Sequence, residues 1–331
     1  MTVQNPASKG QNEGLNLMKR IKSMNLLGPI VALLLACIFF STQSDRFLSG
    51  QNFSLILQQV MVVGVMAIGQ TLVILTAGID LSCGMVMALG TIVMTKFAVE
   101  LGVPPVLAIM CGMFVSTAFG MLNGFLVTRI KLPPFIVTLG TYNIAFAITQ
   151  IYSNSQTVTG LPAALTFFGN TFNIGGTVIT YGTVLMVVMY VLIWIFLTET
   201  APGRQIYAVG NNPEAARLTG IPTNRVLLMV YTFAGFLYSI AGLLLVSRTG
   251  VGDPNAGQTD NLDTITAVVL GGTSLFGGRG LIFGTLLGAL IVGVFRNGLT
   301  LTGVPSVYQI LITGVLVILA VAADQLTRKK G

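Results

Sequence analysis

Histidine is absent from the 331-residue chain, and charged residues make up only 8% of it. Histidine is the commonest general base and the commonest metal ligand, so its absence disfavours a hydrolase or a metalloenzyme. The three cysteines, Cys37, Cys83 and Cys111, lie in separate apolar stretches without paired spacing, which indicates neither a disulfide framework nor a thiolate metal site. We therefore expect a chain without catalytic residues, metal ligands or a bound cofactor.

The chain also lacks a convincing phosphate-binding loop. Residues 272–279 have two glycines at the spacing of such a loop, but Gly278 stands where the essential lysine should be. The longest polar stretches fall short of the ~50 residues that a minimal soluble domain needs. If this protein uses ATP, we expect a separate chain to bind and hydrolyse it.

Apolar residues dominate what is present. They account for 53% of the chain and give a mean hydropathy of +0.85, which indicates an all-α integral membrane protein. We predict about ten transmembrane helices, of which the eighth is short and broken by glycine. The ten apolar segments are 26–42, 55–77, 82–99, 104–128, 134–152, 178–198, 226–247, 264–277, 281–297 and 306–323.

The distribution of basic residues predicts how these segments are oriented. With the N-terminus inside, 13 of the 17 basic residues lie on the cytoplasmic side, as the positive-inside rule requires. Only Arg46, Lys96, Arg248 and Arg296 lie outside. We expect a cytoplasmic tail (1–25), a single transmembrane domain (26–323) with a cytoplasmic loop (199–225), and a second cytoplasmic tail (324–331). The basic residues are scattered between spans, so the net charge of +7 does not indicate nucleic-acid binding.

The cytoplasmic loop contains a short helix with complete capping signals. Asn212 suits the N-cap, Pro213 the first helical position, Glu214 the positive end of the helix dipole, and Gly220 the C-terminal cap. Two turns are too short to be stable alone in water. The segment is either a surface turn that joins two spans or a docking helix for another subunit.

Polar residues within the apolar segments are few, and most are neutral. Asp80 is the one acid embedded in such a run, where it either caps the following helix or serves transport. Neutral amides suit an uncharged, hydroxyl-rich solute, although they also form ordinary interhelical hydrogen bonds. The predicted pathway residues are Gln59, Gln70, Asp80, Asn123, Asn143 and Gln309.

Two glycine patterns have structural interpretations. Residues 74–84 and 268–278, which are 194 positions apart, share three identities, a weak sign of internal duplication. Both are interrupted apolar runs, which point towards a translocation pathway. Gly120 with Gly124, and Gly284 with Gly288, have the small-xxx-small spacing of helix contacts.

Four motifs in order carry a family resemblance. They are LTAGIDLS (75–82), PFIVTLG (134–140), the pair GR (203–204) followed by NNPEAARLTGI (211–221), and AVVLGGTSL (267–275). This set, in a match from about Leu26 to Asp324, resembles the ribose/fructose/xylose-type permease subunits of bacterial sugar ABC importers. Cys83 stands where relatives often have valine, a small apolar exchange.

The resemblance implies a multi-pass inner-membrane permease of ABC importer architecture that works as a homodimer in lipid by alternating access. A periplasmic sugar-binding protein would deliver a monosaccharide, and a cytoplasmic ABC ATPase would hold ATP and Mg. The capped helix would be the segment that docks on that ATPase, and the coupling residues would be Asn212, Pro213, Glu214, Ala215, Ala216, Arg217, Leu218, Thr219 and Gly220.

Other functions remain open at this stage. The solute could be a branched-chain amino acid, a nucleoside or an autoinducer sugar. A secondary sugar carrier would transport without an ATPase, and a passive channel or scaffold would not depend on a binding protein. A membrane enzyme is disfavoured because no nucleophile–base pair is visible.

Overall fold

The computed structural model describes residues 26–328, which form thirteen α-helices and one antiparallel hairpin. Helices α1 to α13 are Leu27–Gln43, Gly50–Leu75, Cys83–Val99, Pro105–Thr128, Pro134–Ser153, Ala163–Thr166, Tyr181–Glu199, Ala201–Asn211, Pro213–Leu218, Thr223–Thr249, Asp260–Leu270, Ile282–Leu301 and Ser306–Arg328. A 3₁₀ turn, Phe167–Gly169, follows α6. Strands β1 and β2 are Thr171–Ile174 and Thr177–Thr180.

Helix α2 is the centre of the molecule. Every residue from Val60 to Leu75 is buried, because α7, α10, α11 and α12 all pack around this helix. Its sequence is apolar on all sides, as a helix surrounded by protein requires. Helices α2 and α10 contact α3, α4, α7, α11 and α12 between them, and the described residues share one main hydrophobic core.

All ten predicted apolar segments contain a helix, but they differ in length. Six helices, α2, α4, α5, α7, α10 and α12, are long and apolar enough to cross a membrane, and α1, α3 and the first part of α13 are shorter apolar helices. The eighth segment forms only the 11-residue helix α11, which spans about 16 Å at 1.5 Å per residue. Residues 271–281 after it are irregular, in agreement with the expected glycine break.

Several boundaries differ from the sequence prediction. The sixth span begins at Tyr181, because residues 177–180 form β2. Helix α8 was not predicted, and α13 continues to Arg328, so that residues 324–328 of the predicted cytoplasmic tail are helical. The predicted tail 1–25 and residues 329–331 lie outside the described residues.

The helix connections collect at two opposite ends of the bundle. At one, here called the coupling end, residues 75–82, 200–222 and 271–281 meet, and Gly278 N–H donates to the Leu75 carbonyl at 2.9 Å. At the other, here called the hairpin end, residues 154–180 meet the start of the segment that follows α10, where Val158 and Gly252 form an isolated antiparallel bridge. Each end therefore brings distant parts of the sequence together.

The two glycine pairs are helix contacts, as their spacing predicted. A Cβ on Gly120 would overlap the Tyr231 carbonyl of α10, and one on Gly124 would lie 3.0 Å from Leu228. A Cβ on Gly288 would likewise overlap the Ala267 carbonyl of α11. These glycines let backbones approach closely, the usual role of small residues between membrane helices.

Helices α2 and α11 end in the same way, with a cap that α9 and α12 also have, so the internal duplication stays a prediction. Ala77 (φ +60°) and Gly272 (φ +85°) occupy equivalent left-handed positions. The next residues, Gly78 and Thr273, donate their N–H groups to the carbonyls five positions back, at 3.1 and 3.2 Å. Both ends are thus Schellman caps. Their register of 195 residues, from 77 to 272, is one more than the sequence alignment gave.

Candidate functional site

The short helix α9 is capped as the sequence predicted. The Asn212 side chain accepts a hydrogen bond from the Ala215 N–H at 3.0 Å, and Pro213 occupies the first helical position. Gly220 (φ +87°) ends the helix, and Ile221 N–H donates back to the Ala216 carbonyl at 3.0 Å. These caps satisfy the backbone groups that a two-turn helix would otherwise leave unpaired.

One residue anchors α9 to the rest of the molecule. Ala216 is 5% exposed and belongs to the main core, whereas Leu218 is 75% exposed. Asn212, Pro213, Glu214, Ala215, Arg217, Thr219 and Gly220 are also exposed. The expectation that both alanines face a partner is therefore corrected for Ala216, whose methyl group holds the helix against its own chain.

The exposed face of α9 carries an ion pair. Arg217 lies 2.6 Å from the Glu214 carboxylate, and both side chains are largely exposed. The hydrogen bond from Arg217, together with its charge, lowers the pKa of Glu214 below the ordinary glutamate value. Glu214 therefore stays ionised, and paired with Arg217, to a lower pH than an isolated glutamate does.

Asp80 lies in a fully buried polar network at the start of α3. Its Oδ1 accepts from the Ser82 N–H at 2.8 Å and from the Ser82 hydroxyl at 2.6 Å. Asn123 Nδ2 then donates to Ser82 Oγ at 2.9 Å, and Thr141 donates to Asn123 Oδ1 at 2.7 Å. This chain of bonds ties α3, α4 and α5 together. Asp80 thus makes the turn into α3, which favours the structural interpretation of this residue.

A second group of polar atoms beside this network is incompletely paired. Tyr238 donates to Gln70 Oε1 at 3.3 Å. Gln70 Nε2, Asp80 Oδ2 and Tyr231 Oη have no hydrogen-bond partner, although all three atoms are buried. Unpaired buried polar atoms cost free energy unless another conformation pairs them, so this group is where the described core is least satisfied.

Two cavities of about 400 Å³ each lie towards the hairpin end. One, between α2, α10 and α12, is lined by Gln59, Arg248, Asp260 and Arg296 among other residues. The other, between α11, α12 and α13, is lined by Gln309 and also by Arg296. Arg296 therefore borders both cavities. Charged and neutral polar groups in a concave site of this size are suited to a small hydrophilic solute.

The sequence analysis missed the charged residues of these cavities. Arg296 lies 2.9 Å from the Asp263 carboxylate and 3.8 Å from that of Asp260. Both acids fall in the first turn of α11, where the helix dipole favours them. The sequence does contain a signal for these charged residues, because two acids three residues apart come just before a short apolar run.

The six predicted pathway residues do not share one place. Gln70, Asp80 and Asn123 lie in the solid core, whereas Gln59 and Gln309 line the two cavities. Asn143 is exposed on α5, where its amide donates to the Leu139 carbonyl at 3.0 Å. In the part of the chain that the structure describes, no group of three or more Cys, Asp or Glu residues could hold a metal ion.

Comparisons with known proteins give a consistent picture. Residues 52–321 match the model of the family described as branched-chain amino acid transport system / permease component. The fructose import permease protein FrcC of Rhizobium meliloti is 48% identical over 307 residues, which cover 91% of this chain and 85% of the relative. The ribose import permease protein RbsC of Bacillus subtilis is 42% identical, with 91% and 93% covered.

A more distant relative is named for a different sugar. The D-allose transport system permease protein AlsC of Escherichia coli is 36% identical over 301 residues, which cover 91% of each chain. No solved structure matches this chain.

Proposed function

The chain belongs to the family of branched-chain amino acid transport system / permease components, and from this membership we propose that it carries a monosaccharide across a bacterial inner membrane as the permease of an ABC importer. The relatives described above are named for fructose, ribose and allose, which makes a monosaccharide the best-supported solute. The permease is a transport subunit without catalysis of its own. It works with an ABC ATPase, which binds ATP and Mg, and with a sugar-binding protein.

The exposure of α9 is the observation that supports its role in coupling the permease to the ATPase. Leu218 offers an apolar side chain that is 75% exposed at an end of the bundle rich in basic residues, where lipid would not cover it. Apolar anchors surrounded by a polar rim are typical of protein interfaces. The ATPase therefore docks on Glu214, Ala215, Arg217 and Leu218, and Ala216 supports them from below.

The charge distribution supports a cytoplasmic coupling end. Six exposed basic residues lie there, against the two exposed acids Glu199 and Glu214, and the six are Arg129, Lys131, Arg204, Arg217, Arg225 and Arg279. The four basic residues near the hairpin end are accompanied by five acids. By the positive-inside rule the coupling end faces the cytoplasm, and both termini lie on the same side.

The side chains exposed on α5 are explained by contact with a second copy of the chain. Asn143 is exposed there among apolar side chains, of which Ile136 is 60% and Ile144 51% exposed. A polar side chain that faces lipid is unfavourable. The α5 surface therefore meets the partner copy, and Asn143 lines a pathway between the two. Other apolar surfaces, such as the face of α4 with Phe114 (72% exposed), contact lipid.

Reconstitution tests this function. The permease is placed in proteoliposomes with its ATPase, and sugar-loaded binding proteins are added in turn. We expect uptake of labelled monosaccharide only when all three components and ATP are present. Gradient-driven uptake by this chain alone would instead establish a secondary carrier, and uptake of an amino acid or a nucleoside would correct the solute class.

A further inference from the structure

Helix α8 ends against two other segments of backbone. Gly210 and Asn211, the residues before the N-cap of α9, lie between the end of α2 and the turn 271–281. A Cβ on Gly210 would overlap the Leu75 carbonyl oxygen and would lie 2.7 Å from the Gly278 nitrogen. Gly278 itself donates its N–H to Leu75. Three segments far apart in sequence therefore meet at one point.

The glycines of the turn make this approach possible. Gly277 (φ +80°) and Gly278 (φ +69°) adopt left-handed conformations that other residues rarely occupy. A Cβ on Gly277 would lie 2.7 Å from the Ala77 nitrogen and 2.8 Å from the Gly210 oxygen, and one on Gly278 would lie 2.7 Å from the Asn211 Cα. Backbone packs directly on backbone here, without flexible side chains to absorb a displacement.

A hydrogen bond reinforces this contact one helical turn earlier. The Tyr207 hydroxyl donates to the Gly280 carbonyl at 3.1 Å. Burial raises the pKa of Tyr207, so its phenol remains protonated and able to donate. We call Leu75, Ala77, Tyr207, Gly210, Asn211 and residues 277–280 the junction.

We propose that the junction transmits movement from α9 to both interrupted segments of the bundle, and that Gly210 and Tyr207 are its positioning residues. This inference depends on the proposed function, in which an ATPase moves α9. Only Asn212 separates α8 from α9, so displacement of α9 acts directly on Gly210 and Asn211. From there it reaches the end of the central helix α2 and the turn that follows α11, without passing through the helices on the outside of the bundle.

Two variants of the complete, reconstituted importer test the junction. Gly210→Ala forces α8 away from Leu75, and Tyr207→Phe removes only the hydrogen bond to Gly280. The measured quantity is the number of labelled sugar molecules imported per ATP hydrolysed. We expect this ratio to fall more than tenfold in Gly210→Ala and less strongly, about fivefold, in Tyr207→Phe, because the second variant loses a single hydrogen bond.

Gly314→Ala is the matched control, because Gly314 is a helical glycine of α13, outside the proposed α5 interface, with nothing within 4 Å of its added Cβ. Thermal stability and ATPase co-purification are measured for every variant. A lower ratio at unchanged stability and assembly supports transmission, and an unchanged ratio in both well-folded variants overturns it. If Gly210→Ala does not fold, Tyr207→Phe decides. Absence of ATP-dependent uptake by the unaltered complex would instead contradict the proposed function.

Discussion

Ala215 and Ala216 are adjacent in sequence but have opposite surroundings. Ala215 is exposed, whereas Ala216 is 5% exposed and packs into the main core. We predict that Ala216→Asp lowers the free energy of unfolding by about 2–5 kcal/mol, because it buries an unpaired carboxylate. Ala215→Asp should leave stability unchanged and weaken ATPase binding. Thermal unfolding and co-purification with the ATPase measure the two effects separately.

The same pair of variants can contradict this assignment. A stable Ala216→Asp permease that has lost only its ATPase would mean that Ala216 faces the partner after all. The sequence alone could not distinguish the two alanines. Both are small and helix-forming, and the direction of each methyl group depends on how α8 and α10 place a six-residue helix.

The positive charge of Arg296 compensates the negative charges of two acids near the hairpin end. Asp263 is 5% exposed and lies 2.9 Å from the guanidinium, and Asp260 lies further away at 3.8 Å. We predict that Arg296→Gln destabilises the permease by about 1–3 kcal/mol, a range reduced because Arg296 is 47% exposed and its charge is screened. Thermal unfolding of the purified protein measures this loss.

A second substitution checks the cause of that loss. Asp263→Asn in the Arg296→Gln background removes the carboxylate left without a partner, so most of the stability should return. A double variant as unstable as the single one would mean that Arg296 acts through the packing of its aliphatic stem and not through its charge.

At the scale of elements, α4 and α10 are held together by close backbone contact at Gly120. An added Cβ would overlap the Tyr231 carbonyl and lie 2.9 Å from the Gly235 Cα. We predict that Gly120→Ala destabilises the protein by about 1–3 kcal/mol, because two packed helices must separate. Gly314→Ala, with open space around the added atom, should have little effect. Equal thermal stability of the two variants would argue against this contact.

The sequence predicted elements well where one physical rule dominates. Long apolar runs predicted every helix from α1 to α5, because a segment in lipid must form the hydrogen bonds of its backbone N–H and C=O groups internally. The caps of α9 were predicted residue by residue from Asn212 and Gly220. Helix α8 was missed, although the Thr200 N-cap and the proline in its first turn are local start signals of the same kind as those of α9.

At the scale of the whole molecule, the candidate pathway shows the limit of reasoning from polarity. Burial of a neutral amide in an apolar run predicts that it needs a partner, but not whether that partner is protein or solute. Asn123 bonds to Ser82 and Thr141 in the core, whereas Gln59 lines a cavity. Their separation depends on how helices distant in sequence surround α2, so only the assembled fold distinguishes them.

The orientation of the whole molecule is a prediction of the proposed function. If the coupling end is cytoplasmic, Arg225 and Asn173, an exposed residue of β1, lie on opposite sides of the membrane. We predict that, in a chain whose three cysteines are replaced by alanine, Asn173→Cys reacts with a membrane-impermeant maleimide added from the periplasmic side. Arg225→Cys should react only after permeabilisation. The reverse pattern would place α9 in the periplasm, beyond the reach of any ATPase, and would contradict both the docking role and the junction.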